Sequence, residues 1–205
     1  MARRATITDE QILQAARTVF LEDGFNAPTS RIASLAHVSE GSIFKRFGTK
    51  ESLFFAALEI PERPEWHEAL DQTAGCDDAK TSLTFICVRI LNHLIAVMPR
   101  IITALGSRIC PHTRDAFAGL PESPPVRDQR KIAEYIQREM DRGRLSTPDP
   151  KLLAQIILGT LVHHAFSLFA AHRDPAPDEI ELLASGTINV LWAGIAPVSI
   201  LEAEG

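Results

Sequence analysis

Residues 29–54 read TSRIASLAHVSEGSIFKRFGTKESLF, and their spacing predicts two short helices joined by a three-residue turn. Ile32, Ala33 and Leu35 give the first helix its apolar content, with Thr29 able to cap it and the helix running through Ala36. His37-Val38-Ser39 forms the turn, and Ser39 can cap the next helix, Glu40–Phe47. Gly48-Thr49 breaks that helix, and Thr49 caps another that runs from Lys50 to Leu58. At about 100° per residue, Ile43 and Phe47 turn toward a core together with Val38. Gly41 and Lys45 then point away from it, flanked by Ser42 and Phe44.

Before this stretch, Thr8 and Gln11 make a capping-box start, with Asp9 and Glu10 favourable at the positive end of the helix dipole. Ile12, Leu13, Ala16, Val19 and Phe20 recur at helical spacing until Asp23-Gly24, where the glycine suits a left-handed cap. Asn26-Ala27-Pro28 is a connector. Three short helices with a tight turn between the second and third describe a helix-turn-helix. A recognition helix needs little bulk near its start, then donors for phosphates or guanine edges, and the Gly41/Lys45 face supplies both. A plain structural subdomain with a solvated lysine fits the same pattern.

Past residue 58, Pro61 and Pro64 interrupt any helix, so about 60–79 reads as an irregular connector or a short helix. Further helices are expected at about 79–97, 99–108, 124–142, 150–172 and 177–195, with Gly119–Pro125 as the longest loop among them. That makes eight or nine helices and no strand. The class is all-α, with an N-terminal helix-turn-helix domain over 1–50 and a helical domain over 51–205.

Composition narrows the function. The chain carries a net charge of −5, but residues 1–51 hold seven Lys/Arg and six Asp/Glu. The acidic excess therefore lies outside the region that would meet a polyanion. Cys76, Cys87 and Cys110 lack CxxC spacing and suggest a reducing cytoplasm without a disulfide framework. The apolar stretch Leu152–Ala171 contains Gln155, His163 and His164 and reads as a buried helix rather than a membrane span. No Glu-x-x-His, GxSxG, P-loop or dinucleotide glycine pattern occurs, so no enzyme chemistry is expected. Adjacent His163 and His164 point about 100° apart and cannot share an ion. Cys110 and His112 could meet a metal with Cys87 or His93, but no spacing fixes that geometry, and no metal or cofactor is expected.

The string quoted above resembles the signature of the TetR family of bacterial repressors, and the similarity extends from about Thr8 to Leu58. The resemblance implies that Thr29 and Lys50 contact phosphate. It places Ser39, Glu40, Gly41, Ser42, Phe44 and Lys45 at or near the groove, with Ser30, Arg31 and Arg46 beside them. Three departures stand out. Phe44 replaces the usual Tyr, His37 the usual turn Gly, and Arg46 the usual His. If position 37 is left-handed, His tolerates it at a cost of about 1 kcal/mol.

The resemblance further implies a cytoplasmic, soluble homodimer that binds a palindromic operator. A small apolar or amphipathic inducer would enter a cavity in the C-terminal domain and release the DNA. Candidate ligand contacts are Phe85, Arg89, Asn92, His93, Phe117, His163 and Phe166, while Trp66 and Tyr135 could line the cavity or fill the core. Leu152, Ile156, Gly159, Val162, Phe166 and Phe169 form one helical stripe, and Ile188, Leu191, Trp192 and Ile195 a second. Ile157, Leu161 and Leu168 extend the first helix's apolar surface, so it must be buried on more than one side. A symmetric four-helix contact between subunits and a monomer core both satisfy that requirement, and the need to address two half-sites favours the dimer.

Overall fold

A computed structural model describes residues 8–76, 78–106, 120–146 and 149–197. Among these residues there are nine helices and no strand: α1 (Asp9–Asp23), α2 (Thr29–Leu35), α3 (Glu40–Phe47), α4 (Lys50–Ala57), α5 (Trp66–Thr73), α6 (Ala79–Gly106), α7 (Pro124–Asp141), α8 (Pro150–Ala170) and α9 (Glu179–Ile195). The fold is all-α. The chain divides into two compact units, residues 1–62 with 99–123, and residues 63–98 with 124–205.

In the first unit α1 packs on α2 and α4, and α3 packs on α2 and α4. The inward positions of α1 are Ile12, Ala15, Ala16, Val19 and Phe20, all buried. Phe20 and Phe25 both meet the Phe54 ring edge-on, with centroids 5.0 and 5.4 Å away, so α1, the connector and α4 share one aromatic contact. Thr8 caps α1 with both hydrogen bonds of the capping box. Ser39 and Thr49 cap α3 and α4 by accepting from the Ser42 and Ser52 amides.

The start of α2 differs from expectation. Pro28 is the cap residue and makes no side-chain hydrogen bond, while Thr29 is the first helical residue and is buried. Proline's fixed φ already sets the entry angle, and its carbonyl accepts from the Arg31 amide at 3.0 Å. A second difference is α6, one helix where two were expected. Pro99 lies inside it. Proline loses the bond its own N–H would make and crowds the carbonyl of Ile95 one turn back, and the apolar run on both sides carries the helix through it. The connector over 60–79 resolves into the eight-residue α5.

In the second unit α7 packs along α8, α5 lies on α7, and α9 lies on α8. Trp66 of α5 and Tyr135 of α7 are fully buried and fill this core. One charged group is buried with them, Glu139 of α7. Its Oε1 accepts from the Gly75 amide at 2.8 Å and its Oε2 from Arg144 Nε at 2.6 Å. Arg144 also donates to the Cys76 carbonyl at 2.6 Å. The turn after α5 is thereby tied to the turn after α7, and Gly75 (φ 76°) has the left-handed backbone that this approach requires.

At the far end, Arg173 grips Glu179 with two bonds of 2.6 and 2.7 Å. Those bonds and the Ala176 amide hold the Glu179 carboxyl down to about 2.

Arg144→Ala is expected to destabilise the protein by about 1–3 kcal/mol, because it leaves Oε2 of the buried Glu139 without its donor while the Gly75 amide and Arg142, at 3.6 Å, remain beside Oε1. Chemical denaturation against wild type measures this, and a loss below about 0.5 kcal/mol counts against the Glu139 tie.

Candidate nucleic-acid interface

The turn between α2 and α3 is fixed by two backbone bonds, His37 N–H to the Ser34 carbonyl (3.3 Å) and Val38 N–H to the Ala33 carbonyl (2.9 Å). This is the Schellman pattern, whose first residue past the cap must be left-handed. His37 occupies that position with φ 55°. The turn is therefore tight enough to set α3 against α2 without a glycine, at the roughly 1 kcal/mol expense of a non-glycine there.

Ile43 is fully buried in the core of the first unit, and Val38 and Phe47 pack partly buried against the same core. The opposite side of α3 is open: Glu40, Gly41, Phe44, Lys45 and Arg46 are exposed, with Ser42 half-buried. The α3 face is thus as the spacing of Ile43 and Phe47 foretold. The serines are committed locally, Ser39 Oγ accepting from the Ser42 amide and lying 2.8 Å from Ser42 Oγ.

A Cβ on Gly41 would meet only Ser39 Oγ, at 3.9 Å. Neither backbone conformation nor packing within the chain calls for glycine at this exposed helical position.

The cations around this face are in unequal states. Arg46 pairs with Asp9 at 2.7 Å. Arg31 is held by both Glu22 and Asp23. Lys50 sits 5.0 Å from the Phe25 ring centroid, and partial burial pushes its ammonium below the ordinary lysine value. Arg17 pairs with Glu59 at 3.2 Å. Among the described residues of this face, Lys45 is the cation with neither a carboxylate nor a ring partner. Ser30 is exposed at the start of α2, next to buried Thr29.

The carboxylate partners were not singled out from the sequence. Asp9 and Arg46 are 37 residues apart, a distance no local pattern spans. Glu22 and Asp23 did carry a signal: they end a helix with no basic residue in its last turn, where the dipole disfavours acids.

The candidate ligand residues lie in the second unit, except Phe117, which falls outside the described residues. Phe85, Arg89 and Asn92 are on the exposed side of α6, with the Arg89 guanidinium 5.3 Å from the Phe85 ring centroid. Asn92 donates to the Val88 carbonyl. His93 is half-buried, and burial pushes its imidazole down against the opposing pull of the Asp128 carboxylate. Asp128 itself pairs with His67 and Arg127, each at 3.2 Å.

His163 and Phe166 are on the exposed side of α8. That side carries Leu152, Ile156, Gly159 and Val162, and a groove there is lined by Leu152, Gln155, Ile156, Gly159, Thr160 and His163. Its opposite side, through Leu153, Ile157, Leu161 and Leu168, is buried. On α9 the expected stripe turns mostly inward, with Ile188 and Ile195 buried and Leu191 and Trp192 half-buried. The exposed apolar residues of α9 are Leu182 and Val190, the latter 82% exposed. Helices α6 and α8 are long and apolar enough to cross a membrane by length and composition. The open side of α8, however, carries Gln155, Thr160 and His163, and the Gln155 amide is a polar group that lipid would leave unpaired. Among the described residues no group of three His, Cys, Asp or Glu side chains could hold a metal ion, and Cys110 and His112 fall outside them.

Residues 12–57 match the family described as "Bacterial regulatory proteins, tetR family". Over these residues the chain is similar to that family. Proteins of this family are transcription factors rather than enzymes. The HTH-type transcriptional regulator QacR of Staphylococcus aureus is 38% identical over 60 residues, covering 29% of this chain and 31% of QacR. The matched region thus spans about a third of that relative's length.

The fold extends further than the sequence likeness. A TetR-family regulator of Mesorhizobium loti superposes with a TM-score of 0.58 at 20% identity, covering 95% of this chain and 100% of that one. The regulator FadR of Bacillus subtilis, solved with stearoyl-CoA, gives 0.52 at 17% identity over 91% and 99%. At such identities the likeness is one of fold.

Gly41→Ala is expected to stabilise the protein by about 0.5–1 kcal/mol, since alanine loses less backbone entropy in a helix and has room here. A melting temperature unchanged or lowered by this substitution would show that the fold itself needs the glycine.

Proposed function

We propose that the chain is a ligand-responsive transcriptional repressor that binds a palindromic operator as a homodimer. The observation that carries this reading is the open face of α3, Gly41 with Phe44 and Lys45, presented by a helix whose other side is locked in the core. A TetR-family domain with that face suits the major groove. Gly41 lets backbone approach the DNA, Lys45 donates to phosphate or guanine, and the Phe44 ring packs on sugar or a thymine methyl. Thr29, Ser30, Ser39, Glu40, Ser42 and Lys50 border the same surface, with Arg31 and Arg46 at its edges. On this reading residues 1–50 read DNA and 51–205 sense and dimerise, in the cytoplasm where operator DNA lies.

The dimer reading is supported by α8. A soluble helix apolar on every side needs cover on every side, and Leu152, Ile156, Val162 and Phe166 are open. With Leu182 and Val190 of α9 they make a patch that a second copy would cover. His163 and Phe166 belong to that contact, which leaves Phe85, Arg89, Asn92 and His93 as the ligand candidates. An arginine and an amide beside aromatic and aliphatic groups suit an amphipathic molecule with a polar head, and the FadR structure holds a ligand of that general kind. Ligand acts by favouring a state in which the two α3 helices no longer stand at half-site spacing, which requires unequal affinity for the two states.

Lys45→Ala is expected to weaken operator binding about 5- to 100-fold and to lower the salt slope by about one, with the dimer intact. Gel shift on promoter fragments across a salt series measures both. Undiminished affinity removes α3 as the reader. Val190→Asp combined with Phe166→Asp is expected to yield a folded monomer by sedimentation, because each would bury an unpaired carboxylate. A dimer surviving both changes places the subunit contact elsewhere.

A further inference from the structure

We propose that Asp9, Glu22 and Asp23 of α1 act as a brake on DNA affinity by holding the two arginines that flank the α3 face. This rests on the DNA-reading role proposed above and adds a function for residues that would never touch the duplex. Arg46 lies in the last turn of α3 and Arg31 in the first turn of α2, both at the rim of the open face. Each is paired to α1, Arg46 with Asp9 at 2.7 Å and Arg31 with the two acids of the last helical turn. Asp9 is well placed for the α1 dipole, whereas Glu22 and Asp23 are not, and α1 offers no basic residue of its own there. The guanidinium of Arg31 is their compensation.

The consequence for DNA follows from ion counting. A free cation that meets a phosphate releases a counterion from the duplex. A phosphate that takes Arg46 from Asp9 also releases one, but the abandoned carboxylate gathers a cation in its place. The net release is close to zero, so Arg46 and Arg31 add little to salt-dependent, sequence-independent affinity. Lys45, unpaired, adds its full share. Such a surface binds random DNA weakly and leaves discrimination to contacts in the groove, where selectivity is measured against the many competing sites.

The isosteric amides test this. Asp9→Asn and the pair Glu22→Gln/Asp23→Asn are titrated by fluorescence anisotropy against a mixed-sequence duplex and a duplex enriched by the wild-type protein, across a salt series. Glu10→Gln is the control, since Glu10 is an exposed neighbour of Asp9 for which no arginine pairing is found among the described residues. Both brake variants should bind mixed-sequence DNA about two- to fivefold more tightly than Glu10→Gln. Their salt slopes should be steeper by about 0.9. If wild type binds but the variants match Glu10→Gln or bind more weakly, the carboxylates position the arginines or do nothing, and the brake is wrong while the DNA reading stands. If wild type binds neither duplex, both fall.

Discussion

Burial of Ile43 is the contact on which the open face of α3 depends. An eight-residue helix does not hold its own shape in water, because nucleation costs more than two turns of hydrogen bonds return. Helix α3 persists because Ile43 is fully buried and Val38 and Phe47 brace it from both ends. The core that receives them is built around Phe20, Phe25 and Phe54, whose rings meet edge to face. Rotation of α3 by one residue, about 100°, would expose Ile43 and turn Ser42 or Phe44 into its place. The apolar anchor thus sets which residues face out, and the left-handed turn at His37 sets where the helix starts.

Much of this was legible because it is local. Capping at Thr8, Ser39 and Thr49, the breaks at Gly24 and Gly48, and the Ile43/Phe47 face all depend on residues within four positions of each other. The departures have particular causes. Thr29 is a good cap residue by type, but Pro28 before it had already fixed the helix entry. Pro99 was read as a helix break, whereas the apolar turns on each side carry the helix through it. Glu139 gave no sign of being the buried acid of α7, since its partners Gly75 and Arg144 come together only through the packing of α5 on α7. The stripe on α9 was found in the right helix but turned inward, because a periodic pattern shows that a face is apolar and not what covers it.

Helix α8 shows the same limit from the other side. Its sequence is apolar over more than one face, which predicts burial on more than one side, and the side through Leu153, Ile157, Leu161 and Leu168 is the one buried within the chain. Val190, 82% exposed on α9, is similarly out of place on a soluble monomer. The second unit thus leaves large apolar side chains uncovered within the chain. Among the described residues of the first unit, by contrast, the large apolar side chains are enclosed or half-enclosed except Leu35 and Phe44. The two units leave different surfaces unsatisfied, one apolar and one small, aromatic and cationic.

For a chain of net charge −5, the proposed DNA reading has to separate two kinds of electrostatics. Long-range repulsion between an acidic protein and the duplex is screened over about 8–10 Å at physiological salt. At contact distance, what counts is which cations are free, and here α1 decides that for the two arginines beside the α3 face. Asp9, Glu22 and Asp23 occupy Arg46 and Arg31, Glu59 occupies Arg17, and the Phe25 ring holds Lys50. The near-neutral balance of residues 1–51 is therefore not a diluted basic patch. Among the described residues it is a set of cations each restrained by a neighbour, around one lysine that is not, and that lysine stands on the face α3 turns outward.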